Sequence, residues 1–421
     1  MPDYKRKKVK RTLFRKKSHS EKKDIISSNI EMKNNSADDD EIKVIKGKKY
    51  RRKKVSKFLL AFIAIICILT SVLSIALPGG IYENLINFAA RIGSGKYPVD
   101  ISGSKVLDCV DNSSYYYVLT DTSVIAYSKN GKIIFNDLHG FSNPTLSVSS
   151  TRALVYDQGG KNAGIYNLSG KIHTFESDYE IITANMAQDG TVAFATYSDK
   201  FASVLNVYDK GLKHIYTWNS AKDIINNVLI NKKGSLVAVS TIDVVAGQYK
   251  SKMNILSFDS ADPLHTLDLN ASIVLSLENT GKGISVICAD KYKHVNWSKY
   301  TTKDILVTGE INSYRNTKNG LLLVLNLPNN RADNTIVLID NFGEKDKEFK
   351  ISSIITDIQY SKSRVYYISD TNVKILDKEG NILRSGNCNY GTEKFAVVSP
   401  NSIATICDRK IYKIDIQKGE S

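Results

Sequence analysis

The sequence predicts an all-β exported domain, a β-propeller of eight four-stranded blades with seven as the alternative. One transmembrane helix and a disordered basic tail precede it. Three observations carry this reading. A hairpin-forming segment recurs along residues 97–421, a second and more apolar strand type alternates with it, and Phe58–Leu77 holds 20 residues without a charge.

That apolar stretch, FLLAFIAIICILTSVLSIAL, is preceded by Arg51, Arg52, Lys53, Lys54 and Lys57 and followed by Pro78-Gly79-Gly80. At about 1.5 Å per residue it reaches about 30 Å, the thickness of a bilayer's hydrocarbon core. The hydroxyls of Thr70, Ser71 and Ser74 can bond back to carbonyls of the same helix. Because 57 residues come before it, the stretch reads as an anchor rather than a cleaved leader. Residues 1–57 hold 21 Lys/Arg against 8 Asp/Glu, whereas residues 58–421 hold 37 against 35. Clustered positive charge keeps its side of a span in the cytoplasm. The expected organisation is therefore a disordered cytoplasmic tail (1–57), a span (58–77), a juxtamembrane amphipathic segment and linker (78–96), and an extracytoplasmic domain (97–421).

Residues 1–17 carry nine Lys/Arg and one acid. Without interleaved aromatics, and tethered to a membrane, this run points to contact with anionic lipid and away from nucleic acid. Beyond the span, Ile81, Leu85, Phe88, Ala89 and Ile92 share one helical face, which suits either the outer membrane surface or packing under the next domain. Gly93–Lys96 reads as a short flexible joint.

From Pro98 onward the chain repeats. Strand–turn–strand units occur at 124–135, 163–175, 204–218, 253–269, 335–351 and 373–385, with a fainter copy within 294–307 and a partial one at 411–416. Gly131, Gly170 and Gly211 are 39 and 41 residues apart. Between these hairpins lie apolar runs such as ALVYD (153–157), TVAFATYS (191–198), GISVICAD (283–290) and IATICD (403–408), whose composition fits strands buried on both faces. The last unit lacks a second outer strand, and YPVDIS (97–102) is an extended segment without a partner. Since an open ring would expose long sheet edges, these two segments are expected to pair.

Little of this carries recognisable chemistry. Cys67, Cys109, Cys288, Cys388 and Cys407 show no ligand spacing, and Cys288 and Cys407 end similar apolar runs, so they mark equivalent buried strand positions. His173, His214 and His265 recur at one place in successive repeats, which places them on separate blades. Arg152 with Asp157, Gly159, Gly160 and Lys161 is the most individual motif. It reads either as a tight structural turn or as a grip on a polar ligand. No nucleophile elbow, phosphate loop or calcium loop occurs, and no metal or other cofactor is implied.

The segments YPVDISGSKVLD (97–108), LHGFSNPTLSVSSTRALVYDQGGK (138–161) and YTWNSAKDIINNVLINKKGSLVAVST (216–241) resemble a bacterial family called domain of unknown function 5711. The resemblance implies a basic tail, one span and a propeller-like exported domain, with no catalytic residues to transfer. The Lys-, Ile- and Asn-rich usage also suggests a bacterium. The functional expectation is a non-enzymatic binding scaffold or sensor in the cell membrane, its propeller outside, for another envelope protein or polymer. The 23 tyrosines either serve such an interface or fill strand faces. The alternatives are a transmembrane signalling receptor or a propeller enzyme, a hydrolase or quinone-dependent dehydrogenase.

Overall fold

The polypeptide from residue 97 onward is built from strands of two to ten residues, and the computed structural model arranges them radially. It describes residues 62–68, 70, 80–112, 114–317, 320–327 and 329–417. The basic tail and the flank Arg51, Arg52, Lys53, Lys54 and Lys57 lie outside these residues, as does most of the predicted span Phe58–Leu77. Within that span, residues 62–68 and 70 are helical and exposed, and the Thr70 hydroxyl donates to the Cys67 carbonyl at 3.0 Å. No helix among the described residues is long and apolar enough to cross a membrane.

Eight four-stranded antiparallel sheets form among the described residues. Seven are continuous in sequence: 106–138, 144–176, 181–220, 224–270, 274–305, 310–352 and 357–387. The eighth combines 394–415 with Val99–Asp100. In each continuous blade the first strand lines a central channel and the following three step outward. The second strands are the apolar runs of the sequence. Tyr115–Thr120, Val192–Thr196, Gly283–Cys288 and Ser402–Cys407 are buried at every position. Outer strands such as Gly170–Glu176 alternate between half-buried and exposed, as a sheet with one wet face requires. Cys288 and Cys407 end their second strands, both buried, and no disulfide joins any of the five cysteines.

Blades hold together through apolar clusters that each straddle two neighbours. Ala193, Leu205 and Val207 of the third blade pack with Ile225, Val237 and Val239 of the fourth, and equivalent clusters fill the other blade interfaces. His173, His214 and His265 sit on the outermost strands of blades two, three and four, as repeat geometry predicts.

The ring closes where the sequence leaves two segments unpaired. Val99 pairs with Ile411 and Asp100 with Lys410, and the Ile101 amide donates to the Arg409 carbonyl at 2.8 Å. Ile101 is then buried among Cys109, Tyr116, Tyr127, Ala404 and Ile411, residues of the first and last blades. Replacing it by Ala should destabilise the chain by about 2–5 kcal/mol, the usual cost of truncating a buried isoleucine. Urea unfolding of the full chain in detergent checks this, and an unmoved midpoint would show that closure contributes no stability.

Candidate functional site in the central channel

The innermost strand of every blade contributes to a channel of about 1010 Å³. These strands cannot read as apolar, because one face of each looks into an open tube. The lining carries many amides, hydroxyls and charges, among them Asn185, Asn227, Ser276, Asn312 and Gln359, beside apolar residues such as Leu275 and Val398. Several of these groups are occupied with the neighbouring blade. Asn185 accepts from the Ile230 amide at 3.0 Å, Asn227 donates to the Val274 carbonyl at 3.0 Å, and Asn279 donates to the Ile230 carbonyl at 2.7 Å.

Two of the charged groups of the wall are paired. Arg315 meets Asp357 at 2.5 Å, with the Asp357 side chain 1% exposed and its second oxygen accepting from the Phe395 amide at 3.1 Å. Lys129 pairs with Asp111 and also donates to the Val397 carbonyl, tying the first blade to the last. Two carboxyls lack a cation in direct contact. Asp108 accepts only from the Cys109 amide, at 2.8 Å, and removal from bulk solvent pushes its pKa upward against the pull of that bond and of Arg315. Glu278 accepts from Asn316 at 2.9 Å and from Ser276 at 3.0 Å, yet desolvation deep in the ring wall still raises its pKa. Part of the Glu278 surface faces the confined channel, so its solvation there falls short of bulk water. The arrangement can accept hydrogen bonds and bind polar groups. Among the described residues no three His, Cys, Asp or Glu side chains gather as a metal site.

The motif singled out in the sequence is divided between two ends of one strand. Arg152 precedes Ala153–Asp157, whereas Asp157, Gly159, Gly160 and Lys161 form the turn after it. The turn is internally satisfied: Asp157 accepts from the Asn143 amide at 2.7 Å and Lys161 donates to the Asp178 carbonyl at 2.7 Å. Gly160 lies so close to the Asp157 carboxylate that a Cβ would come within 2.3 Å of it. Arg152 does something the sequence did not indicate. Its guanidinium meets Glu83 at 2.6 Å and the Lys210 carbonyl at 2.8 Å, with side-chain exposures of 12% and 7% for the ion pair.

Glu83 belongs to the helix Gly80–Arg91, and this helix packs on the propeller by its polar face. Asn87 donates to the Thr151 carbonyl and accepts from the Leu168 amide, both at 3.0 Å. Lys132 reaches the helix C-terminus, donating to the carbonyls of Ala90 at 2.8 Å and Ile92 at 2.6 Å, where the helix dipole favours a cation. The expected joint at Gly93–Lys96 is a packed strap: Asn130 donates to the Gly93 carbonyl at 2.9 Å, and a Cβ on Gly95 would lie 2.0 Å from the Lys132 nitrogen.

Comparison of the chain with known proteins agrees with the propeller fold. The model of a family of unknown function, DUF5711, matches residues 95–416. The chain belongs to this family. No curated protein matches it. Among solved structures it is similar to the computationally designed Ika8 protein, with 13% identity and a TM-score of 0.56 over 76% of this chain and all of that one. Sqt1 of Saccharomyces cerevisiae gives 10% identity and 0.53 over 78% of this chain and all of Sqt1. The C-terminal WD40 domain of Sif2 gives 11% and 0.53 over 77% and 100%. At these identities the likeness is one of fold.

Two outcomes follow for this DUF5711 chain. Because the Glu278 pKa is raised on folding, the stability it contributes is complete below its unfolded value near 4.5 and is lost as pH rises. The stability difference between wild type and Glu278→Gln should therefore move towards the variant as pH climbs from 4 to 7, read by urea denaturation at several pH values. A pH-independent difference would mean that Glu278 titrates as if in water. Separately, Arg152→Leu should cost about 3 kcal/mol by leaving Glu83 buried without its cation. Adding Glu83→Gln should recover part of that loss, and purely additive losses would contradict the coupling.

Proposed function

We propose that the chain is a single-pass membrane protein, N-terminus in the cytoplasm, whose exported propeller is a non-enzymatic scaffold or sensor for another envelope protein or polymer. The charge asymmetry about Phe58–Leu77 supports the topology, and the basic tail suits anionic lipid of the inner leaflet. The observation that carries the binding role is the face formed by the turns between second and third strands and by the connections between blades. Antiparallel geometry puts these loops at the end of the ring opposite the helix Gly80–Arg91. They expose Tyr197 (44%), Tyr249 (51%), Leu306 (91%), Ile354 (61%) and Tyr390 (82%). Large apolar and aromatic groups gathered on one loop face favour a partner over bulk water. Other tyrosines, including Tyr116, Tyr117, Tyr127 and Tyr166, are core residues and play no part in this.

An enzymatic reading draws on Asp108 and Glu278, whose raised pKa values suit proton transfer. Against it, Arg315 and Asp111 are engaged in ion pairs with Asp357 and Lys129. A signalling role would use the strap between helix and first blade as the link to the tail.

In intact protoplasts, external protease should remove the propeller and spare a tag at Met1; the reverse pattern would overturn the topology. Crosslinking in native membranes should then recover a partner whose yield falls at least several-fold in Tyr249→Ser/Tyr390→Ser, the scale of losing aromatic anchors at an interface. Undiminished yield, or turnover of a small substrate that Glu278→Gln abolishes, would replace the scaffold reading.

A further inference from the structure

The helix Gly80–Arg91 is amphipathic in the opposite sense to a core helix. At about 100° per residue, Glu83, Asn87 and Ala90 fall on one side, and Leu85, Phe88, Ala89 and Ile92 on the other. The polar side is the one buried: Glu83 is 6% and Asn87 5% exposed. Leu85, Phe88 and Ile92 are 60%, 58% and 62% exposed, and Tyr82 at the margin of that face is 79% exposed. Arg91 lies over the Phe88 ring at 5.8 Å. An apolar face held outward by an ion pair, two Asn87 hydrogen bonds and the Lys132 cap is fixed in that orientation, and water is a poor solvent for it.

What covers it follows from the chain before it. The apolar run ends at Leu77, and Pro78 and Gly79 alone separate it from Gly80. Even fully extended, three residues span about 11 Å, so the helix cannot leave the surface of a membrane that contains Phe58–Leu77. We infer that the Leu85/Phe88/Ile92 face seats in the boundary between headgroups and acyl chains of the outer leaflet, clamping the propeller to the membrane by the face that bears Arg152. This rests on the reading of Phe58–Leu77 as a span. Apolar side chains of an interfacial helix bury to about 5–10 Å in that zone, and an aromatic hydroxyl such as that of Tyr82 suits its polar edge. The partner-binding loops then point away from the bilayer, and the docked helix leaves the propeller little freedom to tilt.

The test uses the full chain in lipid vesicles, with Leu85→Trp as a reporter and Phe88→Trp as a second variant. Both positions are exposed, so neither substitution disturbs the core. Lipids brominated near the headgroup end of the acyl chain should reduce the emission of the added tryptophan by about twofold or more, as expected for a ring at interfacial depth. Trp218 and Trp297, which belong to the propeller, should be unaffected. An alkaline wash of the same vesicles separates the two readings. Protein that stays with the lipid while its added tryptophan is not quenched keeps the span and overturns the interfacial helix. Protein released by the wash overturns the span and the inference with it. Crosslinking between copies through Leu85→Cys, with the tryptophan shielded from bromine, would overturn the lipid seat in favour of a second copy of the chain.

Discussion

Residues 394–415 alone would give a last blade of three strands, and the pairing of Val99–Asp100 with Lys410–Ile411 supplies its fourth from the other end of the propeller sequence. This short ladder is the constraint on which the ring depends. It commits the first strand of the propeller to the last blade, so that neither terminus of the ring can leave without opening it. Ile101 and Tyr97 carry the same closure into the apolar interface between first and last blades. Because each blade contacts only its neighbours, an opening there would propagate no further than the adjoining clusters but would turn a closed repeat into an open one.

Closure also explains why the segment before the ring is rigid. The chain runs from the helix Gly80–Arg91 through Gly93–Lys96 directly into the closing strand. Contacts from Lys132, Asn130 and Arg152 fix that path against the first two blades. The face of the propeller that takes the helix is covered there, whereas the loops at the opposite end and the channel stay open.

The channel is polar for a geometric reason. Eight strands around one axis cannot bring their inward side chains into contact, so apolar residues there would stay exposed. Amides and charges instead lace adjacent blades, as in the Arg315–Asp357 pair and the bond from Lys129 to the Val397 carbonyl. Asp108 and Glu278 are left to bear the cost of confinement.

The sequence by itself determined the propeller class, the four-stranded repeat and the closing pair, and it left the blade count at eight with seven as the alternative, which the structure settles as eight. Alternation of burial along strands is a local property, written in runs such as ALVYD and IATICD and in turn residues such as Gly131 and Gly170. It also identified the amphipathic helix. It did not reveal the channel residues, whose only mark is a short stretch of mixed polarity just before each apolar run, as in IITANM, INNVLI and SYRN. Nor did it reveal what Arg152 does, since nothing local links it to Glu83, 69 residues earlier. Only the tertiary structure decided which face of the helix is buried. Periodicity finds an apolar face but cannot say that ion pairing and amide contacts with a distant blade will take the polar one.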